Sequence, residues 1–184
     1  MSLTKREQYL LNLYRSSELH GALLMGRIAR SVSSPEVLVG ATRHCATEAT
    51  HAALLTELIR SLGGAIEPST DTIQEHYSGD GGIPKSLVDL LVLSEVLEAR
   101  VLASYRDHLQ QRGLDSRVRA TLEIIVKDEE AHSGQPGWVE RCLATMPQAQ
   151  VAAAYLKWRG VDRKVATDLH GRLARDFEPE ETTP

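Results

Sequence analysis

Along most of this chain apolar residues recur at intervals of three and four, the spacing of one helical face. The same stripes carry acids and imidazoles where further apolar residues belong. Blocks of β-branched or aromatic residues alternating at two are missing, and aromatics make up only 4% of the chain. The sequence therefore predicts an all-α fold. The polar interruptions are patterned. TEATH at 47–51 and DEEAH at 128–132 each set a Glu three residues before a His: Glu48 with His51, and Glu129 with His132.

The stripes place the helices. A first helix is expected over about 4–31, with Leu10, Tyr14, Gly21, Met25 and Ile28 on one side, broken at SVSSP. Ser34 and Pro35 read as an N-cap and first helical position for a second helix, which buries Ala41, Leu55, Leu58 and Leu62 and stops at Gly63 and Gly64. A connection of about twenty residues rich in Gly, Ser, Thr and Asp follows. That is too long for a tight antiparallel turn and suits a crossover running the length of a bundle. A third helix is expected over about 84–111, burying Leu87, Leu91, Val101 and Tyr105. A fourth, capped by Asp115 or Ser116, carries Val118, Leu122 and Ile125. Pro136 ends or kinks it, and further helices are expected over about 137–146, 147–158 and 161–176.

Residues three apart on a helix lie on one face a turn apart, so each Glu-x-x-His can converge on one ion. Two more acids sit in core-facing positions. Glu18 lies between Tyr14 and Met25, and Glu98 lies seven residues from both Leu91 and Tyr105. Glu18 precedes Glu48 by 30 residues and Glu98 precedes Glu129 by 31, while the two Glu-x-x-His pairs are 81 apart. The chain thus repeats one unit, an acid followed by an acid–imidazole pair. Composition alone would supply about 0.6 Glu-x-x-His matches by chance, so the weight rests on this placement.

Two such helix pairs joined by a long crossover bring four carboxylates and two imidazoles to the middle of a bundle, the ligand set of a di-metal carboxylate site. Without cations, four buried neighbouring carboxylates would repel, lose hydration and have to take up protons; two divalent ions would balance their charge. Carboxylate and imidazole donors suit iron or manganese, so two iron ions, an Fe/Mn pair or an Mn/Mn pair are expected on Glu18, Glu48, His51, Glu98, Glu129 and His132. The repeat spacing favours Glu98 over Glu95, which could form a surface ion pair instead. His44, one turn before Glu48, is a polar residue at the bundle edge, a group supporting the ligands or an extra ligand. Tyr14 and Tyr105 are core aromatics whose hydroxyls could reach a ligand. His20, His76, His108 and His170 match no partner pattern and are expected at the surface or in loops.

These residues resemble the ferritin-like superfamily: the rubrerythrins, the bacterioferritins and small di-iron oxygenases, including aldehyde-deformylating oxygenases and the tRNA hydroxylases that act on a modified adenosine. The resemblance covers about 4–133 and rests on Glu18, Glu48-Ala-Thr-His51, Glu98 and Glu129-Glu-Ala-His132. LEARVLASY around Glu98 is similar to the third-helix segment of the tRNA hydroxylases, where a Glu-Ala-Arg sequence carries the ligand. It implies a ferritin-like four-helix bundle with a long crossover between helices two and three, and an oxidoreductase activating dioxygen or peroxide with electrons from an external donor. The oxidised substrate would be a small molecule or a modified nucleoside. The other readings are a ferroxidase or peroxide-scavenging role, or a noncatalytic helical protein held together by metal. The chain departs from the family where Gly134, Pro136 and Gly137 follow His132, since most members continue the fourth helix there.

The rest of the sequence sets bounds. At 184 residues, with no linker-like stretch, a single domain over 1–184 is expected: a core of about 4–133 and a C-terminal helical extension of about 137–176. A net charge of -4 without a basic stripe argues against avid nucleic-acid binding. Cys45 and Cys142 form no CxxC pair, so no rubredoxin-like or zinc-ribbon appendage is expected, and both read as small core residues. No membrane-spanning or secretory segment is visible, and a cytoplasmic protein able to form a homodimer is expected.

Overall fold

A computed structural model of the chain describes residues 3–67, 72–133 and 137–177; the side chains of residues 31 and 131–133 lie outside that description. Among the described residues all regular structure is helical: α1 (Lys5–Ser31), α2 (Pro35–Ser61), α3 (Ile73–Gly81), α4 (Leu87–Leu109), α5 (Ser116–Ser133), α6 (Trp138–Ala144) and α7 (Gln148–Phe177).

Local chemistry sets the starts. Thr4 Oγ1 accepts from Glu7 N at 3.1 Å, Ser86 Oγ from Asp89 N at 3.1 Å and Asp115 Oδ1 from Arg117 N at 2.9 Å. Ser34 is the extended residue before Pro35, although its hydroxyl makes no capping bond. Gly63 and Gly113 sit at φ of 72° and 75°, the left-handed turn that lets the chain leave α2 and α4.

The expected crossover contains a helix that its Gly, Ser and Asp content conceals. Thr72 and Glu75 form a capping box at the start of α3, and Ile73 and Tyr77 bury one face. Gln74 Nε2 donates to Ser17 O at 2.8 Å, seating α3 beside the middle of α1. The two helices expected over 147–158 and 161–176 are one. Gly160 lies in open space inside α7, and Trp158 and Val165, buried on either side, hold the helix through it.

Pairwise contacts give the helix directions. Gly21 faces Glu48 and Gly26 faces Cys45, so α1 and α2 run antiparallel. Arg6 reaches Gln111 and Glu18 meets Tyr105, so α4 also opposes α1; Arg117 reaches Ser61 and His51 meets Asp128, so α5 opposes α2. Hence α2 and α4 are parallel, and the chain between them must travel back along the molecule, as the long connection required.

The apolar core is divided in two. Leu10, Leu11, Tyr14, Leu55, Ile59, Tyr105, Leu122 and Ile125 form one cluster. Met25, Ile28, Ala41, Leu91, Val92, Tyr77 and Trp158 belong to the other. On α1, α2 and α4 the acids stand between residues of the two clusters, so the polar groups form a layer within the interior. The C-terminal helices attach through apolar packing, with Val139, Leu143, Val151 and Val165 in the second cluster, and through polar and shape contacts. Trp158 Nε1 donates to Asp89 Oδ1 at 2.8 Å and lies where a Cβ on Gly81 would be 2.4 Å from its ring. Arg100 makes two 2.8 Å bonds to Asp162, which also accepts from Tyr77.

Candidate metal centre

The polar layer gathers side chains from α1, α2, α4 and α5. Glu18, Glu48, Glu98 and Glu129 all line one cavity of about 30 Å³, room for about two water-sized occupants. Glu18, Glu48 and Glu129 are 3%, 8% and 8% exposed and His51 is fully buried. His51 Nδ1 lies 3.3 Å from Glu18 Oε2 and 3.1 Å from Glu129 Oε1, and ligand atoms of these three residues fall within 4.8 Å of one another. This buried Glu–His–Glu group could hold a metal ion. Glu98 is partly exposed, but its Oε1 is shut away from solvent and makes no hydrogen bond among the described residues. The side chain of His132 lies outside the described residues.

The supporting groups are more connected than the sequence indicated. Tyr105 OH donates to Glu18 Oε1. Tyr14 stands one step back: its hydroxyl donates to Ser104 O at 3.3 Å, and its ring meets that of Tyr105 edge-on at 4.7 Å. His44 is buried rather than at an edge. Its Nε2 lies 2.9 Å from Glu48 Oε1 and 3.4 Å from Glu98 Oε1, and Trp138 Nε1–H donates to its Nδ1 at 3.4 Å. Because an indole nitrogen only donates, His44 Nδ1 must accept, its proton sits on Nε2, and it donates to Glu48. His44 therefore positions a carboxylate in this arrangement.

Three participants were missed in the sequence. Asp128, the first residue of DEEAH, places Oδ2 3.5 Å from His51 Nε2, where it can take the outer ring proton and leave Nδ1 for an ion. Trp138 reaches His44 from α6. Gly21 permits the approach of Glu48: a Cβ there would lie 2.7 Å from Glu48 Oε2. Among the described residues Glu95 makes no ion pair; it accepts from Tyr155 OH and lines a larger cleft that Glu98 and Glu129 also border. His108, expected at the surface, is buried with Nε2 3.3 Å from Glu7 Oε1, because the α4 face that carries Tyr105 carries it too.

The electrostatics are those of carboxylates crowded together in the interior. Burial, then the carboxylates of Glu18, Glu129 and Glu98, raise Glu48 well above the ordinary carboxyl range. Burial followed by Glu129 does the same to Glu98. Burial alone would lower His51, but its hydrogen bonds to Glu129 and Glu18 outweigh that and push it up to about 10. Burial and then Glu18 raise Tyr105. A bound cation would displace the protons that such raised groups favour.

No protein-family model, curated protein or solved structure matches this chain. The geometry of the site itself carries the functional argument.

Proposed function

We propose that this chain is a ferritin-like di-metal carboxylate oxidoreductase, holding two iron ions, or manganese in place of one or both, and using peroxide, or dioxygen with electrons from an external donor, to oxidise or hydroxylate an organic substrate. The carrying observation is that four carboxylates from four helices line one small interior cavity beside His51, one of them with a buried, unbonded oxygen. The antiparallel and parallel helix relations, with a long connection between α2 and α4, support the ferritin-like arrangement. Oxygen and nitrogen donors without a thiolate favour iron or manganese.

Glu18, Glu48, Glu98, Glu129 and His51 would hold the ions, with His132 completing the set by the repeat. In such a ligand set the bound ions supply electron transfer to dioxygen or peroxide. The protein's own residues fix the donors. Tyr105 holds one oxygen of Glu18 and leaves Oε2 beside His51, Asp128 orients the His51 ring, and His44 restrains Glu48. A cleft reaching Glu98 and Glu129 favours oxidation of an organic substrate over iron storage, which needs an ion path and a mineral cavity.

The test is anaerobic loading with Fe(II) or Mn(II), metal analysis, then rapid mixing with dioxygen. Two ions per chain and an optical transient on oxygen addition are expected. Glu48→Ala and Glu129→Ala should each lose at least one ion, while Glu95→Ala keeps both. Two ions retained by a Glu18→Ala, Glu98→Ala double variant would overturn the site. A loaded, reduced protein inert to dioxygen and peroxide would overturn the enzyme reading.

A further inference from the structure

We propose that the cleft between α2, α4, α6 and α7 receives the substrate of this centre, and that the substrate is an amphipathic anion: an apolar chain or ring bearing one carboxylate or phosphate. The inference rests on the oxidative reading above and deepens it. The cleft encloses about 1190 Å³, and Glu98, Glu129 and His44 form part of its lining, so it opens directly onto the carboxylate cluster. Apolar groups adjoin the cluster in its lining: Leu102 lies one turn along α4 from Glu98, and Trp138 touches His44.

Charge selects the head group. Of the cleft's acids outside the cluster, Glu36 pairs with Arg141 at 3.1 Å and Asp162 with Arg100 at 2.8 Å, while Glu140 and Glu95 are held by neutral donors, the Gly137 backbone N–H at 2.9 Å and the Tyr155 hydroxyl; five arginines line the cleft against these four acids. Arg43, Arg159 and Arg163 also line it, and none has a carboxylate within ion-pair distance among the described residues. Arg159 lies over the Tyr155 ring, 4.9 Å from its centroid, and Arg163 follows four residues later on the same face of α7. An anionic head meets these cations at the cleft surface while the apolar body lies along Trp138 and Leu102 beside Glu98. A neutral or cationic head gains nothing from them. The C-terminal helices thereby acquire a purpose, since α6 and α7 supply Trp138, Arg159 and Arg163.

Binding is measured without turnover, on the full chain with and without Mn(II), using decanoate, decyl phosphate, decanol and decyltrimethylammonium in calorimetric titrations and ¹H–¹⁵N spectra. One or both anions should bind at least about tenfold tighter than decanol, weaken as salt is raised, and shift the Trp138 indole resonance while sparing that of buried Trp158. The preferred anion assigns the head group. Arg159→Gln with Arg163→Gln, both exposed positions, should remove that preference, and Arg43→Gln provides an independent check on the opposite wall. Equal binding of all four probes, anion affinity indifferent to the arginine variants, or an unmoved Trp138 signal overturns the proposal. Anion binding by a chain that takes up no metal would sink the oxidative reading alone, whereas normal metal uptake with an indifferent cleft would sink only this one.

Discussion

At the scale of single residues, Gly21 separates folding from function. A methyl there meets the far end of the Glu48 side chain, which can swing aside, so Gly21→Ala should retain the thermal stability of the parent and lose metal affinity. Equilibrium metal titration beside a melting curve checks this, and unchanged affinity would show that Glu48 is free to relax. Tyr105→Phe removes the hydroxyl that holds Glu18 and should weaken metal binding by about 10- to 100-fold, the usual cost of losing a group that orients a ligand. The acids Glu18, Glu48, Glu98 and Glu129 were legible in the sequence because each interrupts an apolar stripe at a repeated spacing. His44, Asp128 and Trp138 were not assigned their positions, since those depend on contacts between helices that no local pattern encodes.

At the scale of elements, the long helices were legible to within a few residues because caps and stripes agree. The two misreadings are of opposite kind. In α3 the Gly, Ser and Asp content suggested loop, yet a capping box and two buried anchors suffice for nine residues once α1 and α7 lie alongside. Thr72→Ala should cost about 1 kcal/mol in chemical denaturation, the usual worth of an N-cap. In α7 the expected helices stopped at 158 and restarted at 161, but Gly160 between them, with nothing near it, only weakens a helix that tertiary packing maintains. Gly160→Ala, with nothing near the added methyl, should stabilise the protein by about 0.5–1 kcal/mol; destabilisation would mean that α7 bends there.

For the whole molecule, the buried acids tie stability to pH and to metal. Glu48 and Glu98 have raised carboxyl values in the folded chain and His51 is raised from 6.5 to about 10. The folded state therefore binds more protons than the unfolded one across that interval. The stabilisation is complete below the ordinary values and is lost as pH rises through the raised ones. The midpoint of thermal unfolding of the metal-free protein should fall between about pH 5 and about pH 9 from this contribution, and Fe(II) or Mn(II) should reverse the trend because ligands bind metal deprotonated. At a hundredfold excess over its dissociation constant, an ion should add about 2.7 kcal/mol; pH-independent melting without metal would contradict the protonated cluster. The cleft beside that cluster is mechanically lopsided. One wall belongs to α7, a 30-residue rod about 45 Å long, with Trp158 wedged against Gly81 and Phe177 resting on the Tyr9 ring at 5.2 Å. The other includes α6, seven residues clasped to α2 by Glu36–Arg141 and by the indole of Trp138. Swinging the rod would lever apart contacts along the molecule as far as the first helix, and lifting the short piece would strip Val139, Cys142 and Leu143 from the core as well as breaking its contacts to α2. Both walls of the chamber are built into the core, one along its whole length and one at a single spot.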